Sequence, residues 1–292
     1  MLFRSRDARL AGVREARDLD LCHGRLPVAI GVDDDRSVVA ELEADALTCL
    51  GRRTLTAAGG SVAGMARVDG GATGDGEALD GASTDGTIDV INQHINQIAK
   101  FKSERDKGIY DALNKGIQLA TGDVVGFLHA DDLYASDNTL SKIAKAFEDP
   151  EVCAVYGDLE YVSQQDTSKV IRRWKSKSFN LSDLGWGWMP AHPTLYVRRD
   201  WYSKIGGFDI SYRIAADYLS ILKLFTQPTF KSVYIPELLV TMRLGGASNK
   251  SLKAIVKKTK EDWRALRSCN FSMPGALRAI ACKNLSKLSQ FA

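Results

Sequence analysis

From residue 81 onward, short apolar runs alternate with segments whose apolar residues recur at helical spacing. The runs 124–128 (VVGFL) and 152–162 (VCAVYGDLEYV) predict strands, whereas residues 109–120 and 216–225 predict helices. Such alternation is typical of an α/β sheet with helices on both faces. The order of the apolar segments therefore predicts an α/β fold from residue 81 onward.

Residues 1–80 differ in composition from the rest of the chain. They contain ten Arg, no Lys and one aromatic residue, whereas residues 81–292 contain ten Arg and nineteen Lys. Residues 28–32 (VAIGV) predict a strand, and residues 37–47 (SVVAELEADAL) predict a short helix. We interpret the segment as an arm, a divergent subdomain or out-of-frame translation of GC-rich DNA, and we do not expect it to carry catalysis.

Two adjacent carboxylates, Asp131 and Asp132, follow the apolar run 124–128 after a two-residue spacer. Ligands of open α/β sheets bind at the carboxyl ends of strands. Paired carboxylates at such a position can hold Mg²⁺ or Mn²⁺ together with a diphosphate. The pair also fits a solvated turn that caps the next helix.

Asp80 lies in a turn, 79–87 (LDGASTDGT), that precedes a further predicted helix. That helix is predicted over residues 87–100 because Ile88, Ile91, Ile95 and Ile98 recur at helical spacing. The turn can bring Asp80 toward the base or ribose of a nucleotide. Asp, Ser, Thr and Gly also gather in turns for conformational reasons alone.

Asp217 is placed at the start of the apolar segment 216–225, beside Ala215 and Ala216. Small neighbours leave room for a sugar, and a carboxylate in apolar surroundings can act as a general base for a hydroxyl. An acidic residue at the start of a helix can equally serve only to stabilise the helix dipole.

Together these motifs resemble the family 2 glycosyltransferases, which are inverting enzymes with the GT-A fold. The matching stretches, in the family's order from about residue 79 to 249, are LDGASTDGT, SERDKGIYDALNKGIQLATGDVVGFLHADDLY, MPAHPTLYVRR, GGFDISYRIAADYLSILKLF and LLVTMRLGGASN. The ending MRLGGASN is similar to bacterial enzymes that build surface polysaccharides. The resemblance implies a Rossmann-like, nucleotide-binding mixed sheet flanked by helices.

The resemblance also implies an activity and the residues that perform it. The chain would move a sugar from a nucleoside-diphosphate sugar, with UDP as the nucleotide, to a saccharide or lipid-linked acceptor. Asp80 matches the residue that binds the uracil end, Asp131 faces the ribose, and Asp132 ligates Mg²⁺ or Mn²⁺ on the diphosphate. Asp217 matches the catalytic base of a one-step inversion.

Weaker assignments follow from the same resemblance, and each has a purely structural alternative. Asp106 lies in a family loop near the nucleotide, and Arg243 precedes a Gly-rich loop that can fold over the diphosphate. Trp186 and Trp188 can stack on an acceptor sugar, and His192 can line the acceptor side.

The sequence departs from the family pattern before Asp80. Family members open with an apolar strand that ends in a polar turn, and residues 1–78 do not show this pattern clearly. We therefore expect the sheet to lose a central strand and much of its parallel pairing. The chain divides into an atypical segment (1–78), a glycosyltransferase domain (79–249) and a basic helical arm (250–292). The alternative function is a catalytically impaired relic or a non-catalytic partner protein.

The basic arm and the cysteines bear on partners and location. Between residues 250 and 287 there are ten Lys or Arg, interleaved with apolar residues, so the arm either lies on an anionic membrane or packs on the domain as a solvated helix. Five scattered cysteines without CxxC pairs indicate a reducing compartment. A net charge of +3 is too weak to indicate nucleic acid. We expect a cytoplasmic protein without a membrane span, peripheral at the inner face of the cell membrane if the arm binds lipid.

Overall fold

The computed structural model shows a mixed sheet with helices packed against it. It describes residues 25–32, 36–43, 53–58, 61–68, 76–84, 87–93, 95, 98–120, 122–129, 132–163, 166–243, 252–286 and 290. Structural statements below concern these residues.

The first two strands form a small sheet of their own. Strands β1 (Arg25–Val32) and β2 (Arg36–Glu43) pair antiparallel in continuous register, from Arg25 with Glu43 to Val32 with Arg36. The strand predicted for residues 28–32 is confirmed. The helix predicted for residues 37–47 is wrong over residues 37–43, because pairing with β1 overrides the helix propensity of the Ala, Leu and Glu residues.

Ten strands form the central sheet, in the order β6-β5-β3-β4-β7-β11-β9-β12-β8, with β10 pairing with β9. Their bounds are β3 Arg53–Ala58, β4 Ser61–Val68, β5 Gly76–Asp80, β6 Ile98–Ser103, β7 Val124–His129, β8 Asp132–Tyr134, β9 Val152–Val162, β10 Val170–Trp174, β11 Tyr196–Arg198 and β12 Lys231–Arg243. The strands predicted for residues 124–128 and 152–162 are confirmed.

Six strands of the central sheet run in the same direction. The pairs β5–β6, β3–β5 and β9–β12 are parallel, and the remaining pairs are antiparallel. Following these pairings along the sheet gives one direction to β3, β5, β6, β7, β9 and β12. We call the side of the sheet where these six strands end the carboxyl edge. Because ligands of such sheets bind at this edge, it is where site residues should gather.

The sequence predicted that a central strand would be missing from the sheet. Two strands of the N-terminal segment, β3 and β4, lie at that position, between β5 and β7. Strand β3 pairs parallel with β5, and β4 pairs antiparallel with both β3 and β7. The expectation that the sheet loses a central strand is therefore wrong. The expectation of reduced parallel pairing is confirmed at β4, which interrupts the parallel order in the middle of the sheet.

Seven helices are described, together with two short 3-10 turns at Leu181–Trp186 and His192–Thr194. The helices are α1 Thr87–Gln93, α2 Ile109–Leu119, α3 Thr139–Ala146, α4 Arg199–Ile205, α5 Ala216–Phe225, α6 Leu252–Ser268 and α7 Met273–Leu285. The helices predicted near residues 109–120 and 216–225 are confirmed. The helix predicted over residues 87–100 is too long, because Ile98 begins β6 and pairs with β5.

Buried aromatic side chains fix α5 against the sheet. The rings of Tyr156, on β9, and Phe225, on α5, lie 6.1 Å apart, and Trp188 lies 5.7 Å from Tyr156. Full burial of each such side chain stabilises the fold by roughly 1.5–3 kcal/mol. This packing sets the position of the α5 residues relative to the carboxyl edge.

The two C-terminal helices pack on the domain. Helix α6 contacts both α5 and α7, and its residues Ala265 and Leu266 are fully buried. Ile255 and Val256 of the same helix are exposed. Within the described residues, none of the helices combines the length and apolar character needed to cross a bilayer.

Candidate active site

Asp80 ends strand β5 at the carboxyl edge. Its side chain is buried, and its Oδ2 atom accepts hydrogen bonds from the Ser83 backbone N–H, at 3.0 Å, and from the Ser103 hydroxyl. The Oδ1 atom is also buried and has no hydrogen-bond partner among the residues described. A buried carboxylate oxygen in this state can accept a hydrogen bond from a ligand. The sequence-predicted role of Asp80 thus fits its surroundings.

Asp132 begins strand β8, just beyond the end of β7 at the same edge, and is buried. Its neighbour Asp131 lies outside the described residues. Burial raises the pKa of Tyr161, on β9, and the charge of Arg172 opposes this increase. The carboxylates of Asp132 and Asp217 raise the same pKa further. The charges of Asp132 and Asp217 thus both act on the Tyr161 phenol.

Asp217 lies in the first turn of α5 and is partly exposed. The Tyr110 hydroxyl lies 2.7 Å from the Ile214 carbonyl oxygen and 3.2 Å from Asp217 Oδ1. Tyr110 is buried, and burial followed by the charge of Asp217 raises the pKa of its phenol. Tyr110 thus stays protonated and donates a hydrogen bond that orients the Asp217 region.

His192 begins a short 3-10 turn and packs against residues of β7. Burial lowers the pKa of His192, and the charge of Asp217 opposes that shift. Its Nε2 atom is buried and has no hydrogen-bond partner within the described part of the chain. The His192 ring stacks on Phe127 at 6.2 Å and lies 5.9 Å from the His129 ring.

We expect the protein to lose stability in acid through His129. Burial, followed by the charge of His192, lowers the pKa of His129 from 6.5 to about 3. The unfolded chain takes up this proton near pH 6.5 and the folded protein does not, so the free energy of unfolding falls as the pH drops from 6.5 toward 3. In denaturant titrations, His129→Gln should show a shallower pH dependence over this range. An unchanged dependence would contradict the assignment.

Asp106 belongs to a cluster of carboxylates around Lys115. Its side chain lies 2.6 Å from the Lys115 amine, which also pairs with Glu104 at 3.0 Å and Asp111 at 3.4 Å. Burial raises the pKa of Asp106, and the bond to Lys115 opposes the shift. The structure therefore gives Asp106 a role in ordering the loop between β6 and α2.

Trp186 and Trp188 occupy different environments. Trp188 packs among Tyr156, Phe179 and Phe225, as the structural alternative for this residue predicted. Trp186 is 56% exposed, and the Arg278 guanidinium lies 4.4 Å from its ring centroid. Gly187, between them, has a positive φ of 74°, and a Cβ atom there would meet the Ala279 carbonyl oxygen at 2.1 Å. Glycine thus lets the turn sit directly on α7.

A cleft of about 620 Å³ opens beside Trp186. Its lining is aromatic and basic, with Trp174, Trp186, Trp188, Arg173, Lys175, Lys177 and Lys283 among the side chains. Lys283 lines the cleft, and its amine lies 3.2 Å from the ring centroid of Tyr218, the residue after Asp217 in α5.

Arg243 is the last residue of β12 and is partly buried, in register with Val162 at the end of β9. It thus lies at the carboxyl edge. The Gly-rich loop predicted to fold over the diphosphate lies outside the described residues.

The described residues contain no group of three or more His, Cys, Asp or Glu side chains that would hold a metal alone. Mg²⁺ is commonly held by one or two carboxylates together with substrate phosphates. The buried carboxylate of Asp132 at the carboxyl edge supplies the oxygen ligand that such a site needs. The residues present thus fit a metal that is shared with a diphosphate.

Several residues of the site were not predicted from the sequence. They are Ser103, Tyr110, Tyr161 and Glu261. Each acts on a residue at least 23 positions away in the chain, as with Ser103 and Asp80. A weak signal in the sequence points to Tyr110, because it lies in one of the stretches that resemble the family. The sequence pattern itself predicts only a helix there.

Comparisons with known proteins concern the segment that carries Asp80, Asp106 and Asp132, whereas Asp217 and Arg243 lie beyond the residues matched by the family model. The model of glycosyl transferase family 2 matches residues 78–206. A PGL/p-HBAD biosynthesis glycosyltransferase of Mycobacterium bovis is 31% identical over 176 residues, which cover 59% of this chain and 66% of the relative. An uncharacterised glycosyltransferase of Nostoc sp. is 31% identical over 184 residues, which cover 59% of this chain and 56% of the relative.

Solved structures support the same fold. S. aureus TarS, residues 1–349, in complex with UDP-GlcNAc is similar with a TM-score of 0.53 at 14% identity, over 74% of this chain and 64% of TarS. This likeness shows the GT-A fold that the motifs implied. From the ordered motifs, the sheet with its carboxylates at the carboxyl edge and the family match, we conclude that residues 78–206 form a segment of glycosyl transferase family 2.

Proposed function

We propose that the protein transfers a sugar from a UDP-sugar to a saccharide or lipid-linked acceptor, with inversion at the anomeric carbon, in bacterial cell-surface polysaccharide synthesis. The observation that carries the proposal is the pair of buried carboxylates at the carboxyl edge, Asp80 at the end of β5 and Asp132 just beyond the end of β7, with Asp217 in the first turn of α5. A nucleotide-sugar site needs carboxylates for the nucleotide and its metal, and a base for the acceptor hydroxyl.

The donor occupies the carboxyl edge. Asp80 presents its buried Oδ1 atom to the uracil end of the nucleotide. Asp131 faces the ribose, and Asp132 holds Mg²⁺ or Mn²⁺ against the diphosphate. When bound, the metal offsets the negative charge of the departing UDP. Arg243, at the end of β12, adds a second positive charge on this side, and Asp106 supports the loop beside the nucleotide through Lys115.

Asp217 serves as the general base. Its carboxylate takes the proton from the acceptor hydroxyl while that oxygen attacks the anomeric carbon opposite the UDP. The bond from the sugar to UDP breaks as the new glycosidic bond forms, so no sugar–enzyme intermediate is needed. Tyr110 stays protonated beside Asp217 and fixes the orientation of its carboxylate.

The acceptor enters through the cleft beside Trp186. The exposed Trp186 ring offers an apolar face for a sugar, and Trp188 supports the cleft wall from the core. We assign His192, on which the charge of Asp217 acts, to the acceptor side. Lys283, which lines the cleft, contacts the ring of Tyr218, next to the base in the chain.

Trp186→Ala should raise the KM for the acceptor by about 10-fold while leaving the affinity for UDP unchanged. Loss of one aromatic stacking contact costs about 0.5–1.5 kcal/mol, with further loss from the buried area. Leu181→Ala is the matched control, because Leu181 is an exposed residue of the same turn that does not line the cleft. Equal acceptor KM values in wild type and Trp186→Ala would remove Trp186 from the acceptor site.

The domain division and location are part of the proposal. Residues 79–249 form the catalytic domain, whose central sheet also takes in β3 and β4 of the atypical segment 1–78, and residues 250–292 form a basic arm. The arm holds the protein at the cytoplasmic face of the membrane, as its exposed Ile255 and Val256 beside Lys257 and Lys258 suit an anionic lipid surface. No nucleic-acid partner is proposed.

A second candidate is a catalytically impaired relic. The observation that favours it is strand β4, which runs antiparallel beside β7 where the family pattern has a parallel strand ending in a polar turn. Acceptor-dependent release of UDP from a panel of UDP-sugars separates the two candidates. We expect release that requires both an acceptor extract and Mn²⁺. Binding of UDP without any release would favour the relic.

A further inference from the structure

Glu261, on helix α6, is a buried carboxylate that accepts four backbone hydrogen bonds from one loop. Both of its oxygens lie 3.1 Å from the Arg213 nitrogen, and Oε2 also lies 2.8 Å from the Ile214 nitrogen and 3.0 Å from the Ala215 nitrogen. These three residues precede helix α5, which carries Asp217 in its first turn. The C-terminal arm thus reaches the loop that presents the candidate base.

The loop depends on Glu261 because, among the described residues, no backbone carbonyl accepts from the N–H groups of residues 213–215. Ala215, at the N-cap of α5, also has no side-chain oxygen that could serve as an acceptor. A buried N–H without a partner is unfavourable. Glu261 supplies the acceptor for three consecutive N–H groups and therefore sets the path of the chain into α5.

The neighbouring residue Asp262 joins the two helices of the arm. Its carboxylate pairs with the buried Lys283 amine of α7 at 3.1 Å and with Lys258 of α6 at 3.2 Å. The Lys283 amine lies 3.2 Å from the ring centroid of Tyr218, the residue after Asp217. Glu261 thus binds the loop before Asp217 directly, whereas Asp262 reaches the residue after it only through Lys283.

We propose that Glu261 is a positioning residue for the transfer reaction, which holds Asp217 in place by fixing residues 213–215 through their backbone N–H groups. The inference rests on the proposed function of Asp217. It assigns the arm a part in catalysis that is separate from contact with a membrane. Asp217 touches the substrate, whereas Glu261 acts only through the loop.

The first test measures the loop without using activity. In hydrogen–deuterium exchange of the full chain, Glu261→Gln should make the amides of residues 213–215 exchange about 10-fold faster, because hydrogen bonds to a carboxylate are lost. Glu148→Gln is the matched control, since Glu148 is an exposed carboxylate after α3. Unchanged exchange in these residues, with the fold intact by circular dichroism, would overturn the proposal.

The second test connects the loop to catalysis. Glu261→Gln should lower kcat by about 10²-fold, as expected for a small misplacement of a catalytic group, and leave the affinity for UDP unchanged. In an Asp217→Asn background, the same change should lower the remaining rate less than about twofold, since it acts through Asp217. An equal loss in both backgrounds would overturn the proposal.

A further variant keeps the tests decisive if Glu261→Gln does not fold. Glu261→Asp retains the charge but shortens the side chain by one methylene, so exchange and kcat should both lie between those of wild type and Glu261→Gln. Values equal to wild type in both measurements would overturn the proposal. A wild type without transfer would overturn the proposed function, whereas the exchange measurement would still decide whether Glu261 holds the loop.

Discussion

Asp217→Asn is expected to lower kcat by about 10²- to 10⁴-fold, the usual contribution of a general base. The amide keeps the shape of the side chain but cannot take the proton of the acceptor hydroxyl. The affinity for UDP should be unchanged, because Asp80 and Asp132 hold the nucleotide at the other strands of the carboxyl edge. Calorimetry with UDP and steady-state transfer rates measure the two quantities on the same preparation.

Asp200→Asn is the matched control for that experiment. Asp200 is also in the first turn of a helix, α4, where it is exposed and pairs with Lys204 at 2.7 Å. Its substitution should leave both the rate and the UDP affinity near wild type. If Asp217→Asn kept a near-normal rate, Asp217 would not be the base, and Asp209 or His192 would be the next residues to examine.

Asp132→Asn is expected to remove most of the metal dependence of UDP binding. A neutral amide is a weaker ligand for Mg²⁺ or Mn²⁺ than a carboxylate, and loss of even an indirect contact to a metal typically costs about 10- to 100-fold in affinity. In calorimetric titrations, the UDP affinities measured with and without Mn²⁺ should differ by at least about 10-fold in wild type. They should differ by much less in the variant.

Asp137→Asn controls for the loss of a negative charge near the metal site. Asp137 is exposed in the turn that follows β8. UDP binding by this variant should keep its dependence on Mn²⁺. An Asp132→Asn protein whose UDP binding responds to Mn²⁺ as wild type does would place the metal elsewhere or remove it from the reaction.

Much of the fold from residue 81 could be predicted from local patterns. Strand β9, for example, is an apolar run bounded by polar residues, and its observed bounds, Val152–Val162, coincide with the prediction. Helix α5 also coincides with its prediction at Ala216–Phe225. In both cases the local pattern and the tertiary packing favour the same structure, so no competing interaction shifts the ends of the element.

The N-terminal elements could not be predicted in the same way. Residues 40–43 (AELE) have helix-forming side chains, yet they form part of β2 because β1 pairs with that strand along its whole length. The placement of β3 and β4 between β5 and β7 depends on pairing with strands that follow much later in the chain. Local composition carries no information about such partners.

The site was predictable in its acidic residues but not in the groups that orient them. Asp132 is predictable because it follows an apolar strand, where the geometry of the sheet itself creates a binding edge, and Asp80 because it lies in a turn before a predicted helix. Tyr110 and Glu261 act on the loop before Asp217 from 104 and 47 positions away, respectively, as their bonds to Ile214 show. The spacing of residues along the sequence cannot predict that a carboxylate binds a loop so far away in the chain.

The anomeric configuration of the transferred sugar tests the central claim most directly. With an α-linked UDP-sugar as donor, proton NMR of the product should show a β-linked sugar, because a single displacement with Asp217 as base inverts the reacting carbon. The product should be missing or strongly reduced with Asp217→Asn. An α-linked product from the wild-type protein would contradict one-step inversion and the role proposed for Asp217.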